Sequence, residues 1–585
     1  MTVPGGAALD TPTGHLDGHG IFTVIVFAFV SIICIYPLHI PLPLSVSHWL
    51  RSQWRQLRQT CGWDSFPSSQ SSSDPRKEDM ELNSMGESTS SSPRTLDTTD
   101  RVFIPLTHVT APIGGVLLLL ATTSMDGKQV RNGIVGESGI FPYDILLLFL
   151  SLAYIAISLD ATGLLRYLAC HVCQRASFDG RVLYVMMYLF LWIAGVILGN
   201  DPVILSGTAF LVYVTRAASI DPPYAWLWSQ FTAANIASAV LVSSNPTNLV
   251  IATGFDLSFV RYTAYMVLPS LVSACASLLA LMLFFGLRWP PLKKGIGEIS
   301  TSNDEGKMHD YIPKRIHQPD IQPRSLLIDP VGALFTSAVM IAVICLLVGT
   351  SALGDVHVYQ IGVPGAALCL CRDIAADLFT YRKSTSSSSS AQHTTGSLQW
   401  IGRGTRLAWR IFPVTLSTLF RLPLDLLPFA FGMFILVQGL DHVGFVTIMA
   451  EGLGKVCQHG VSATVFFMAV LSIILCNFGG TNIGSTILLT KVMQNAAFLH
   501  LIPSEQKSLI LKAGMYAVAF GSNLGALGGT FAASLAGLLW LGMLKHHAIH
   551  ITRTQFALWC AVAIVPAIGA GLGVLLAEVL YFHMG

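Results

Sequence analysis

Four short polar breaks interrupt otherwise apolar stretches of this 585-residue chain. They are Gly199-Asn200-Asp201-Pro202, Ser243-Ser244-Asn245-Pro246-Thr247-Asn248, Asn477-Phe478-Gly479-Gly480-Thr481-Asn482, and Gly521-Ser522-Asn523-Leu524-Gly525 followed by Gly528-Gly529-Thr530. Asn, Ser and Thr bring neutral donors and acceptors. Gly and Pro let a helix unwind and present its own N–H and C=O groups. At such a break the half-helix N-terminus favours an anion and the C-terminal carbonyls favour a cation. This chemistry suits a small oxygen-rich substrate with H+ or Na+ as coupling ion, and it suits a bulky organic cation poorly. The candidate substrate- or ion-binding residues are Asn200, Asp201, Ser244, Asn245, Thr247, Asn248, Asn477, Gly480, Thr481, Asn482, Ser522, Asn523 and Gly525.

Asp201 is the only ionisable residue in the four breaks. A carboxylate near the middle of a bilayer costs several kcal/mol unless it is solvated, paired or protonated, so it is the coupling-ion candidate. An Asp beside Pro202 also suits the cap of a helix that begins there, and the two roles can coexist. The breaks are paired by spacing. Asn200 to Asn245 is 45 residues and Asn477 to Asn523 is 46, while Asn200 to Asn477 is 277 and Asn245 to Asn523 is 278. Packing of small residues explains any one break, but not the matched spacing of all four. Paired interruptions in two halves of a chain point to the binding site of a secondary transporter.

The elements that carry the breaks follow from composition. Hydrophobic residues make up 52% and charged residues 11%, less than half the roughly 25% charged share of soluble domains. With 34 basic and 32 acidic residues, the chain has no electrostatic case for binding nucleic acid. Charge-free windows such as Asp17 to Arg51, Arg261 to Arg288 and Arg553 to Glu578 exceed the roughly 20 residues that span a bilayer. The chain reads as an all-α polytopic membrane protein surrounded by lipid, with the plasma membrane and a vacuolar membrane both suitable. The positive-inside rule orients it. Loops 51–101, 288–325 and 372–423 hold seven Lys/Arg each, and one consistent threading puts 27 of the 34 inside. That threading requires two apolar stretches not to cross, so each is a re-entrant hairpin.

The result is two inverted repeats, with about ten spans, two hairpins and two broken helices. Residues 1–50 hold an outer segment and a first span at Ile21–Leu38, with no positive n-region of a signal peptide. A Ser-rich cytoplasmic loop follows at 51–101. Residues 102–287 form the first repeat, with a hairpin at 182–215 and a broken span at 225–256. A linker occupies 288–325. Residues 326–585 form the second repeat, with a Ser-rich loop at 372–423, a hairpin at 461–499 and a broken span at 509–544. The Ser-rich loops cannot bury a core. Asp160, Asp425 and Glu578 are expected near span ends, solvated at the interface, and Lys491 is expected to snorkel outward. Cys170-His171-Val172-Cys173 has no second pair nearby, so no metal site is read. Neither a Walker motif nor a nucleophile–base arrangement is present, so the chain reads as a non-enzyme with no cofactor.

At these residues the chain resembles the ion transporter superfamily, and within it the arsenite permease and citrate-transporter-like branch. The resemblance rests on Gly199-Asn200-Asp201, Ser244 to Leu249, Asn477 to Thr486, Gly521 to Gly525, Leu538-Leu539-Trp540 and the span Phe431 to Leu440. It covers roughly 100–585 apart from the Ser-rich loops. It implies an elevator-type carrier with scaffold and transport parts, a homodimer, and substrate held at the hairpin tips and broken spans. The Ser-Asn-Thr signature of dicarboxylate symporters is intact in neither repeat, since Pro246 follows Asn245 and Leu524 follows Asn523. The expected function is export of arsenite or antimonite by proton exchange. The alternatives are a carrier of citrate or another organic or inorganic anion, a sodium–proton antiporter, and, from a different class, a channel or a non-transporting sensor.

Overall fold

The computed structural model describes residues 16–41, 53, 103–137, 139–176, 179–286, 311–316, 322–350, 357–386 and 407–584. Most of the loop 51–101, most of the linker 288–325 and the Ser run at 384–390 beyond Ser386 lie outside them. Contacts divide the chain into a large unit, Met1–Pro37, Thr107–Asp373 and Thr418–Gly585, and a small one, Leu38–Leu106 and Ile374–Ser417. Within the small unit β1 (Leu38–Pro41) pairs antiparallel with β2 (Phe103–Leu106), an exception to the all-helical expectation.

The large unit opens with α1 (Gly18–Ile35), started by Asp17, whose side chain accepts from the Gly20 N–H at 2.7 Å. It continues through α2 (Thr110–Ala121), α3 (Gly127–Val135), α4 (Pro142–Ala161) and α5 (Leu164–Arg175). The first hairpin is α6 (Gly180–Leu198) and α7 (Asn200–Ala217). The first broken span is α8 (Tyr224–Ala237) and α9 (Pro246–Gly254), and α10 (Phe259–Gly286) closes the repeat. Next come α11 (Pro330–Thr350), α12 (Tyr359–Ser386), of which Ile374 onward belongs to the small unit, then α13 (Leu426–His442) and α14 (Phe445–Cys457). The second hairpin is α15 (Val461–Phe478) and α16 (Asn482–Gln494). The second broken span is α17 (Lys507–Leu524) and α18 (Leu535–His546), and α19 (Arg553–Met584) is last.

The repeats match element by element. In each, a span ends at a left-handed glycine, Gly163 (φ +86°) or Gly444 (φ +80°), which turns the chain into a short amphipathic helix, α5 or α14. The hairpin, the broken span and a long helix with an internal proline, Pro269 or Pro566, then follow in the same order. The amphipathic helices were not anticipated, because their mixed polarity reads as loop in a scan for long apolar runs.

Among the described residues seven helices are long and apolar enough to cross a membrane alone, or eight if the bent pair α13 and α14 counts as one. Two of the seven, α6 and α15, are first arms of hairpins. The remaining crossings are short, broken or carry charges. At 12 residues α2 is about 18 Å long, well short of a 30 Å core.

Polar contacts join distant elements that the threading expects on one side of the membrane. Arg421 donates to Asp160 at 2.7 Å, Arg216 to the His547 carbonyl at 3.1 Å, and Arg553 lies 5.1 Å from the Tyr36 ring. All of these residues fall on the side assigned to the cytoplasm. Lys491 and Asp441, Gln438 and Glu137, His357 and Asp144, and Tyr516 and the Arg261 carbonyl all meet on the opposite side.

Three expectations about charges are corrected. Asp160 is 2% exposed and paired with Arg421, because α4 is packed by protein at that depth. Lys491 is only 10% exposed and lies 3.9 Å from Asp441, with Glu137, Gln438 and Asn132 lining the same cavity. It is held by neighbours and does not snorkel. Glu578 is buried. Since Asp160 is buried, Arg421→Ala is expected to lower stability by about 1–3 kcal/mol, less than for a fully buried pair because Arg421 is about one third exposed. A thermal melt of the purified protein checks this.

Candidate functional site

Each hairpin turns at a glycine that only glycine suits. Gly199 holds φ +84° and ψ 172°, and a Cβ there would lie 3.0 Å from the Ser244 carbonyl. Gly480 also holds φ +84°. Both returning helices begin with Asn, Asn200 in α7 and Asn482 in α16, so the structural counterpart of Asn200 is Asn482 and not Asn477. Thr481 caps α16, accepting from the Ile483 N–H at 3.3 Å, with a φ of +143° that residues other than Gly rarely adopt. Gly199→Ala is expected to destabilise by about 1–3 kcal/mol through backbone strain and crowding of Ser244, read as a lower melting temperature.

In each repeat the hairpin tip is tied to the break of the following span. The Ser244 hydroxyl donates to the Val196 carbonyl at 2.7 Å. In the second repeat the Asn477 side-chain oxygen accepts from the Thr530 hydroxyl at 2.9 Å and from the Thr530 N–H at 3.2 Å. The Cys476 thiol donates to the Ser522 carbonyl at 3.8 Å, and Gly525 packs against Cys476 with no room for a Cβ. The Ser522 hydroxyl turns back to the Ala519 carbonyl.

The breaks of the two repeats then meet at Asn523. Its oxygen accepts from the Ser238 hydroxyl at 2.7 Å and from Asn245 Nδ2 at 2.9 Å. Its amide nitrogen donates to Asn248 Oδ1 at 2.7 Å and to the Ala519 carbonyl at 2.8 Å. Two donated and two accepted bonds fill the capacity of an Asn side chain. Asn248 also donates to the Ser238 and Leu241 carbonyls, satisfying the end of α8. Asn245 caps α9 by accepting from the Thr247 N–H at 3.1 Å, and Pro246 occupies the first turn. The Thr247 hydroxyl is buried with no hydrogen-bond partner among the described residues. On the α8 side, Asn235 accepts from Asn200 Nδ2 at 3.4 Å and links the first tip to the cluster.

Thus motifs one and two, two and four, and three and four are in contact through named groups. Apolar packing reinforces the junction, with Phe231 stacked on Trp540 at 4.5 Å and Trp228 edge-on at 4.9 Å. Sequence reading missed Asn235 and Ser238. Asn235 lies in the last turn of α8 as Asn523 lies in the last turn of α17, so aligning helix ends instead of polar runs finds it.

Asp201 sits in the first turn of α7. The cap position is Gly199, and among the described residues Asp201 has no ion-pair partner. The positive end of α7 is a fixed stabiliser of its charge. The junction built from Asn200, Asn235, Ser238, Asn245, Asn248 and Asn523 contains no Lys or Arg, and Lys491 lies nine residues along α16 from Asn482, about 13 Å. Cys170 and Cys173 of α5 are buried and not joined in a disulfide, and the described residues hold no group of three or more His, Cys, Asp or Glu fit for a metal.

Comparison with known proteins adds the following. Residues 102–521 match the model of the citrate transporter family. The chain is 25% identical to an arsenical pump membrane protein of Escherichia coli over 410 residues, 69% of this chain and 79% of that one. It is 23% identical to a putative arsenical pump membrane protein of Bacillus subtilis (strain 168) over 461 residues, 77% and 89% of the two chains. Among solved structures, the YdaH transporter of Alcanivorax borkumensis aligns with a TM-score of 0.43 and 13% identity over 84% of this chain and 93% of that one.

Proposed function

The chain belongs to the citrate transporter family and is a multi-pass membrane secondary transporter, and on that premise we propose that it exports arsenite or antimonite in exchange for protons. One observation carries the choice of substrate. The junction of the four motifs offers Asn and Ser groups and helix ends, with one carboxylate beside it and no Lys or Arg in it. A neutral metalloid trihydroxide needs donors and acceptors of this kind and no counter-charge. A tricarboxylate would need cations that the junction lacks. The arsenical pump relatives support the same choice.

Asp201 carries the proton in this account. It is the one titratable group at the motifs, and it stands at a tip that moves if hairpin and broken span shift together against the scaffold. Substrate binds where Asn200, Asn482 and Thr247 hold side-chain groups not spent on the central lock. The elevator-like movement carries the two tips and the two breaks as one body, because side-chain hydrogen bonds tie each tip to a break and the breaks to one another.

A second reading, a carrier of citrate or another anion, is favoured by the paired N-termini of α7 and α9, which converge where Gly199 meets Ser244. A flux screen in one reconstituted preparation separates the readings. Arsenite and antimonite should exchange across the vesicles, while citrate, phosphate and Na+ should not. Exchange of citrate without arsenite would replace the first reading with the second.

A further inference from the structure

The last spans of the two repeats, α10 and α19, pack along most of their length. Ser273 and Ser277 of α10 donate to the Ala567 and Ala563 carbonyls of α19, both at 2.8 Å, which sets an antiparallel register. Carried toward the outer end, that register sets Glu578 within a turn of Tyr262. Glu578 is 7% exposed, and both of its carboxyl oxygens are buried with no hydrogen-bond partner among the described residues. The Tyr262 hydroxyl is buried and unpartnered in the same way.

The titratable and charged groups at this end are accounted for. From α10 they are Arg261, Tyr262 and Tyr265, from α17 Lys507, Lys512 and Tyr516, and from α19 itself Tyr581 and, five residues beyond Glu578, His583. The outer half of α15 has none. Lys512 is taken up by the Tyr265 hydroxyl and lies 4.3 Å from the centre of its ring. The Tyr516 hydroxyl donates to the Arg261 carbonyl at 3.3 Å. No cation forms an ion pair with Glu578 among the described residues. The inverted counterpart, the inner end of α10 from Leu278 to Gly286, has no titratable side chain, so the feature exists at one face only.

We propose that Glu578 is a proton-binding site at the outer face, separate from Asp201, whose occupancy governs the packing of α19 on α10 and makes transport depend on outer pH. The protonated acid packs in the apolar joint as observed. The carboxylate has neither partner nor solvent there, so losing the proton to outer water requires the joint to open. Binding a proton adds one to the carboxylate and changes no other bond. For its transport readout this deepens the proton-exchange reading, but the site itself does not require arsenite to be the substrate.

The test counts protons. Purified full-length protein in nanodiscs is stepped from acid to alkaline pH with an indicator dye. The wild type should release one proton per chain more than Glu578→Gln. Glu578→Met, an apolar substitution of similar length, should show the same deficit and guards against misfolding of the first variant. Equal release by wild type and both variants overturns the proposal. In vesicles, arsenite counterflow by the wild type should slow as outer pH rises, while Glu578→Gln should stay flat. Identical outer-pH profiles would also overturn it. If arsenite is not carried, neither protein shows counterflow, and the proton count alone decides on Glu578.

Discussion

Asp201→Asn protein is expected to insert and fold as the wild type does, to exchange labelled arsenite across vesicles at equilibrium, and to concentrate none under a proton gradient. Among the described residues the Asp201 side chain forms no ion pair, so the substitution orphans no charged partner there. Its effect on stability should stay within about 0.5–1 kcal/mol. The amide keeps the shape and cannot take up and release a proton, so coupling is lost while binding remains. Melting temperature, equilibrium exchange and gradient-driven uptake measured on one preparation separate these effects. Unchanged gradient-driven uptake would reduce Asp201 to a charge placed at the favourable end of α7.

Asn523→Ala should have the largest effect on the fold of the site. It removes both acceptor bonds and both donor bonds of the side chain whose hydrogen bonds join the broken spans of the two repeats. Ser238 keeps its bond to the Asn235 carbonyl. Asn245 Nδ2 and Asn248 Oδ1 are left buried and unpaired at this contact. Two orphaned groups cost on the order of 2–6 kcal/mol together. Most of a marginal stability margin would be lost, so the protein should melt at clearly lower temperature and bind substrate weakly. Asn245→Ala removes one inter-repeat bond and a cap, and should cost less. A melt and a substrate titration of both variants check the order. Equal and negligible effects would show that the junction is not the lock the geometry describes.

This result changes the meaning of the Asn residues. Read from sequence, Asn245, Asn248 and Asn523 are substrate ligands because they are polar in apolar surroundings. In the fold their groups are largely spent on one another. Among the described residues the Thr247 hydroxyl is left unpartnered, and Asn200 and Asn482 begin the returning helices beside the lock, with Asp201 next to Asn200.

What was legible in the sequence and what was not have physical causes. The hairpins and broken spans were legible because Gly, Pro and Asn stand out in windows free of charge, and because the Lys/Arg bias allows few threadings. The match of two halves exposed the inverted repeat. The helices α5 and α14 were not legible, since their turns depend on single left-handed glycines, Gly163 and Gly444, within mixed sequence. The burial of Asp160, Lys491 and Glu578 was not legible either. Their places in the sequence suggest interfaces, and only the packing of distant helices shows that protein surrounds them. Asn235 escaped because Ala and Ile flank it, with no neighbouring Gly, Pro or polar run to mark a break.

The central claim is that a proton gradient drives this chain to move a neutral metalloid hydroxide. Its most direct measurement is arsenite accumulation in vesicles of purified protein with the pH gradient imposed in either direction. The account predicts accumulation in the compartment with the higher proton concentration, reversal when the gradient is reversed, and none with Asp201→Asn. Arsenite movement that ignores the gradient, or no movement at all beside active citrate exchange, would contradict it.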